Sequence, residues 1–358
     1  MYVVRTRIEN LRRIVLGELD LCPGLNYLSG ANASGKTTIL EAIEILGRAR
    51  SFRTHQQREL IRFGCKSMSV FGEVDRDGVR DKIGVERSVT KISAKHNHEP
   101  VRKLSLLSRL LPTLLFDPSS LGLVSGPPEV RRKHLDWGCF YFKPEFFSYW
   151  GEYKRGLSQR NALLRNGGSD REISVWSSVL ANSAKEITRI RREYIRQLGA
   201  LMSEVIDKMS VRESSALEIM QGWSVDRDLG VLLDAEIEGD RKIGFTRFGP
   251  HRADLIIKQD GLPATTNSRG QQRQLVVVWL LAQAKLFAYD QGYWPVLLLD
   301  DIESEFDSER FKQVMSYLAS FPAQILLTST RERSEWLDEF RNVKMFHVEQ
   351  GRVSEVIY

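Results

Sequence analysis

Long apolar runs are missing from this chain. No stretch approaches the roughly 20 apolar residues that a membrane-spanning helix needs. The longest, Leu275 to Ala282, is short and interrupted by Trp279. Cysteine is scarce: Cys22, Cys65 and Cys139 lie far apart and form neither a metal spacing nor an even disulfide framework. The six histidines show no HExxH or paired-ligand pattern, which argues against a structural metal or zinc catalysis. Internal repeats and low-complexity tracts are also missing. The start, Met1-Tyr-Val-Val-Arg5, alternates like a strand and has no signal-peptide layout, so a soluble, cytoplasmic protein is expected.

What is present is globular composition and positive charge. At 358 residues, with 42% hydrophobic and 27% charged side chains, the chain can bury a substantial core in one or two domains. A net charge of +6 suits a polyanionic partner, because Lys and Arg displace counterions from phosphates.

The first quarter reads as short strands and turns around one helix. Val3 to Ile8 alternates as a strand, and Gly24 to Gly30 is a short strand ending in glycine. Apolar positions from Thr38 to Leu46 have helical spacing. Ser67 to Glu73 and Lys82 to Arg87 read as hairpin strands around a turn at Asp75 to Gly78. From Pro144 the character changes. Tyr149 to Leu164 and Ser174 to Met209 are long and rich in Arg, Lys, Glu and Leu, and Arg165 to Asp170 separates them as a turn. Two antiparallel helices forming an arm account for this, the second reaching roughly 50 Å. A helix over Gln271 to Tyr289, the apolar strand Pro295 to Leu299, a helix over Ser308 to Ser320, the strand Gln324 to Thr328 and strands near Met345 and Val353 follow. The expected domains are a discontinuous head, residues 1–143 and 210–358, and the arm, 144–209.

Three motifs carry chemistry. Gly30-Ala31-Asn32-Ala33-Ser34-Gly35-Lys36-Thr37, followed by Thr38, fits GxxxxGK[ST] and sits between a strand and a helix. Its glycines let backbone amides and the helix N-terminus face phosphates. Lys36 would reach the β- and γ-phosphates of ATP, and the Thr37 hydroxyl would ligand Mg²⁺. Pro295 to Asp301 is an apolar strand running into an acidic pair. Asp300 is the expected Mg²⁺-side carboxylate, and Asp301 the base that orients the attacking water. Asn267 to Arg273 precedes a long helix, and its Ser268-x-Gly270-Gln271 is similar to the ABC signature LSGGQ, an anion site at a helix N-terminus. By itself Ser268 reads as a plain helix cap; the order glycine loop, signature, acidic strand favours a nucleotide sandwich between two copies. Asp307 stands where such proteins have a dimer-facing aspartate.

With these elements placed, nearly the whole chain resembles the RecF family, in the SMC/RecF branch of ABC-type ATPases. Gly30 to Ala42 with Asn32, Arg50 to Thr54, Glu59 to Arg62, Pro127 to Asp136, Gln159 to Leu164, Gly249 to Asp254 and Gly270 to Arg273 carry the resemblance. It implies an α/β fold: an ABC-type P-loop ATPase head with antiparallel strands at the N-terminal side and an inserted helical arm. It also implies an ATP-driven homodimer with weak ATPase activity that binds duplex or gapped DNA without sequence preference. Cooperation with RecR and RecO in loading RecA on gaps is implied too. The chain departs from the family's pattern at Asn10-Leu11-Arg12, at Arg269 within the signature, and at Asp301 where many ABC ATPases have Glu. The shorter Asp301 suits slow hydrolysis and a switch.

Basic residues gather at Arg48 to Arg53, at Arg131-Arg132-Lys133-His134 and at Arg189 to Arg192. Each such cluster can also be a solvated helix face. Arg189, Arg192 and Arg196 share one face at i, i+3, i+7 spacing, and Arg131, Arg132, Arg189 and Arg192 are the candidate DNA contacts. The family-like stretches place Arg53, His251 and Arg252 near the nucleotide, although His251 reads equally well as a hydrogen-bonded histidine packed in a turn. An SMC/Rad50-like DNA-end-holding ATPase is the rival reading. The segment between Lys36 and Ser268 is short for its long coiled coil and lacks a CxxC hook.

Overall fold

Strand and helix periodicity is realised along the chain in the computed structural model, which describes residues 1–54, 56–209 and 214–356. The strands are β1 (Tyr2–Leu11), β2 (Ile14–Asp20), β3 (Leu25–Ser29), β4 (Ser67–Arg76), β5 (Val79–Ser88), β6 (Ile92–His96), β7 (Glu99–Pro100), β8 (Thr113–Phe116), β9 (Ser215–Met220), β10 (Asp254–Gln259), β11 (Leu262–Pro263), β12 (Val296–Leu299), β13 (Ile325–Ser329), β14 (Val343–Glu349) and β15 (Arg352–Val356). The helices are α1 (Lys36–Arg48), α2 (Ser105–Leu110), α3 (Gly122–Ser125), α4 (Pro128–Phe142), α5 (Phe146–Asn166), α6 (Asp170–Lys208), α7 (Leu229–Ala235), α8 (Ile237–Ile243), α9 (Arg269–Gln291) and α10 (Ser308–Ala319). They divide into two units, Met1–Ser120 with Gly292–Tyr358, and Leu121–Gln291.

The first unit holds two six-stranded sheets. One is antiparallel in the order β2-β1-β4-β5-β6-β7. Its strands alternate fully buried with partly accessible residues, as β4 shows over Ser67–Arg76, because one face alone meets the core. The other runs β15-β14-β3-β13-β12-β8, parallel except for β15 at its edge. Every residue of β3, β12 and β13 is buried. A parallel strand covered on both faces needs this continuous apolar run. Helix α1 packs against strands of both sheets, and Ile39, Leu40, Ile43 and Leu46 are fully buried in the shared core. Each such side chain stabilises by about 1.5–3 kcal/mol. Gln324 joins the sheets: its Oε1 accepts from Val3 N at 2.8 Å, and its Nε2 donates to Val3 O and Cys22 O, both at 2.8 Å.

The second unit is mostly helical, with the small antiparallel sheet β11-β10-β9. Helices α5 and α6 are the expected long pair. α6 has 39 residues, about 58 Å at 1.5 Å per residue. It starts with a capping box, Ser169 Oγ accepting from Glu172 N while Glu172 accepts from Ser169 N. α6 packs against α4, α5, α7, α9 and β9. The middle of α9, Leu275 to Ala282, is apolar on every face and buried, with Trp279 fully enclosed and its indole donating to Gln283 Oε1 at 2.9 Å. The short elements β9, α7 and α8 were not expected from the sequence.

Candidate nucleotide site

The geometry begins with the turn between β3 and α1. Gly30 has φ 146°, and a Cβ there would lie 2.2 Å from Val348 O, so only glycine lets the loop pass β14. The loop is braced from behind, where Gly351 N, in the turn between β14 and β15, donates to Ser34 O at 2.7 Å. Arg13, beyond the end of β1, donates to Ala33 O at 3.1 Å. Lys36 is buried, and its Nζ donates to Gly30 O at 2.7 Å and Ala31 O at 2.9 Å. Burial lowers its pKa, and Asp301 and Asp300 pull it back up.

The ends of β12 and β13 bring the acidic side to the same place. Asp300 Oδ1 accepts from Thr37 Oγ1 at 2.9 Å and from Thr328 Oγ1 at 2.8 Å. Burial raises the Asp300 pKa, partly offset by these two hydroxyls. Asp301 is left-handed (φ 51°), with its amide donating to Thr328 Oγ1 at 2.9 Å. Its Oδ2 accepts from Ser304 Oγ at 2.9 Å. Ser304 thus holds the carboxylate.

A cavity of about 530 Å³ results, lined by Asn32 to Thr38 with Asp300 and Asp301, and by Arg12, Arg13, Arg53 and Thr328. The structure therefore brings the glycine loop, the acidic pair and Arg53 to one cavity, and adds groups the sequence did not assign to it. Thr328 links Asp300 to Asp301. Arg12 is held by Glu41, fully buried in α1, through Nε–Oε2 at 2.5 Å and Nη2–Oε1 at 2.8 Å. Ser51 Oγ also donates to Glu41, and accepts from the amides of Arg53 and Thr54 at 2.9 and 3.2 Å. One carboxylate thus orders two arginines of the cavity wall. A second acid, Asp117, follows β8 and adds to the upward pressure on the Asp300 pKa. The apolar stretch Thr113 to Phe116 followed by an acid was its signal in the sequence.

The remaining candidates lie in the second unit, except Asp307, which belongs to the first. Ser268 caps the start of α9: its hydroxyl and amide both donate to Gln271 Oε1, at 2.9 and 3.0 Å, and Gln271 N donates back at 3.4 Å. Gly270 lies in the first turn of that helix. Arg131 is clamped by Asp254 at 2.7 and 2.9 Å and donates to Gly126 O. Arg132 donates to Ala253 O at 2.6 Å, and Arg192 to Gln221 Oε1 at 2.7 Å. Arg189 is half exposed and ringed by Glu145, Glu186 and Glu193. His251 accepts from the Tyr153 hydroxyl at 2.7 Å and donates to Thr246 O at 3.0 Å. Burial lowers its pKa to about 4. It is the packed, hydrogen-bonded histidine of the two readings. Asp307 Oδ1 caps α10 by accepting from Arg310 N at 2.9 Å. No helix among the described residues is long and apolar enough to cross a membrane.

The chain is similar to known proteins over nearly its whole length. The RecF/RecN/SMC N terminal domain family matches residues 2–354. The DNA replication and repair protein RecF of Stenotrophomonas maltophilia is 37% identical, covering 99% of this chain and all of the relative. That of Shewanella denitrificans is 35% identical with the same coverage. Among solved structures, the recombination mediator protein RecF with ATP, from the RecFOR pathway, aligns with a TM-score of 0.89 at 27% identity, over 99% of this chain and 98% of that one. The Smc head domain from Pyrococcus furiosus, at 15% identity and a TM-score of 0.61 over 99% and 96% of the two chains, shares the fold. A glycine loop between β3 and α1, facing an acidic pair at the end of β12, on a sheet flanked by an antiparallel N-terminal sheet in sequence, defines an ABC-type P-loop ATPase head. Within that class the chain belongs to the RecF family of DNA replication and repair proteins.

Proposed function

We propose that this protein is an ATP-dependent DNA-binding switch of recombinational gap repair. In this reading two copies close on ATP, grip duplex DNA or a single-strand/double-strand junction, and release it when ATP is slowly hydrolysed. With RecR and RecO they would help load RecA. The observation that carries the reading is the meeting of Thr37 Oγ1 with Asp300 Oδ1 beside Lys36.

The residues fit a magnesium nucleotide. A hydroxyl and a carboxylate oxygen 2.9 Å apart offer two hard oxygen ligands. Ser34 Oγ, buried within the loop, has no hydrogen-bond partner among the described residues. Thr37 and Asp300 would hold Mg²⁺, which would supply neutralisation of phosphate charge. Lys36 would exchange its two loop carbonyls for phosphate oxygens. Asp301, held by Ser304 and Thr328, would orient the attacking water, with Arg12 and Arg53 beside the terminal phosphate. Ser268, Gly270 and Gln271 would offer amides and a hydroxyl to the nucleotide of the second copy, for which Ser268 must trade its contact with Gln271.

The test compares wild type with Lys36→Ala for oligomeric state and for binding to gapped and duplex DNA, without nucleotide, with ADP and with ATP. ATP alone should drive dimerisation and tighten DNA binding, and the variant should lose both. A monomer that ignores DNA while hydrolysing ATP would overturn the reading.

A further inference from the structure

We propose that the turn Arg62 to Cys65 is a DNA-contact element in which Phe63 stacks on a base left unpaired at a strand junction. This rests on the DNA-binding reading above.

Phe63 is 99% exposed, more than any other large apolar side chain described. It is nevertheless held in place. Cys65 N donates to Arg62 O at 3.0 Å, closing a tight turn, and Gly64 has φ 84° at the third position, where a type II turn needs it. The backbone behind it is pinned to the tip between β1 and β2: Arg12 N donates to Leu60 O and Arg62 N to Asn10 O, both at 2.8 Å. Arg62 Nη1 donates to Arg13 O at 3.0 Å. An aromatic ring displayed on a braced turn is pre-organised to be covered.

Charge indicates what covers it. Residues 50–66 carry five cations, Arg50, Arg53, Arg58, Arg62 and Lys66, against the single acid Glu59. Arg50, Arg53, Arg58 and Lys66 are exposed and form no ion pair among the described residues. Arg131 and Arg189, by contrast, are matched by carboxylates. Unneutralised cations in the same segment as an exposed ring form a pattern suited to unpaired nucleic acid, with phosphates taken by charge and a base by the π-face. The same stretch also reaches the nucleotide cavity. Arg12 and Arg13 line it from the β1–β2 tip, and Arg53 from the start of the segment. The turn is therefore tied by backbone to groups that would feel ATP.

The test measures the affinity of the full chain, with ATP and Mg²⁺, for a gapped duplex and an uninterrupted duplex of equal length. 2-Aminopurine at the first unpaired position of the gap reports stacking. Phe63→Ala should weaken gapped DNA about ten-fold, in the range of one base–aromatic stack. It should change duplex affinity less than about two-fold and abolish the quenching of 2-aminopurine, while Phe63→Trp restores both. Arg58→Glu with Lys66→Glu should weaken both DNAs and flatten the salt dependence. Unchanged gapped-DNA affinity and quenching in Phe63→Ala would overturn the proposal while wild-type binding still supports the DNA reading. Wild type that binds neither DNA would overturn that reading and this inference with it.

Discussion

Glu41→Gln removes the charge that holds Arg12 at the cavity wall. The carboxylate is fully buried, and the side chain of Arg12 is 19% exposed. Breaking one side of a buried ion pair costs about 3–5 kcal/mol. Because water still reaches part of the guanidinium, about 2–3 kcal/mol is the expected loss, roughly 5–10 °C in Tm for a unit of 150–250 residues. The glutamine amide would also turn a donor toward a group that has only donors. Thermal and urea unfolding of the full chain without nucleotide gives the stability loss, and an ATP titration gives the functional one. Arg12→Met with Glu41→Leu separates the two, since an apolar pair of similar volume can replace a buried ion pair at little cost. The double variant should recover most of the stability but not the affinity for ATP. A single variant within about 0.5 kcal/mol of wild type, below the range of any buried pair, would refute the argument.

Asp301→Asn is expected to lower ATP turnover about a hundred-fold, the lower end of what a positioned base contributes, with ATP binding retained; turnover within two-fold of wild type would remove the role. His251 gives a pH signature. Its folded pKa of about 4 lies below its ordinary 6.5, so the unfolded chain takes the proton first as the pH falls. That stability is complete above about pH 6.5 and drains between there and pH 4, by at most about 3 kcal/mol. Urea midpoints at pH 7 and 4.5 should separate less in His251→Gln than in wild type, and equal separations would exclude His251 as the source.

Motifs whose parts are close in sequence were readable, and pairings across the chain were not. GxxxxGKT between a strand and a helix located the β3–α1 turn, because strand, glycine and helix signals agree within two dozen residues. The apolar run before Asp300 and Asp301 was readable as a strand for the same reason. Glu41 looked like any polar residue of an amphipathic helix, since nothing local shows that Arg12 meets it across 29 residues. The basic cluster at Arg131 illustrates the same limit. A count of charge cannot show that Asp254, 123 residues later, has taken one of its members. The short elements α7, α8 and β9 offer too few turns or alternations for periodicity to register.

The brace behind the glycine loop bears on how the protein is made. β3 lies between β13 and β14, and Ser34 O is held by Gly351 N. A loop encoded near residue 30 therefore lacks both neighbouring strands until residues 325–351 have been synthesised. On the ribosome the early segment waits as an apolar strand without a sheet, exposed to aggregation and dependent on slow, long-range pairing. The loop that a nucleotide would meet is thus braced only in a chain whose synthesis has passed that point.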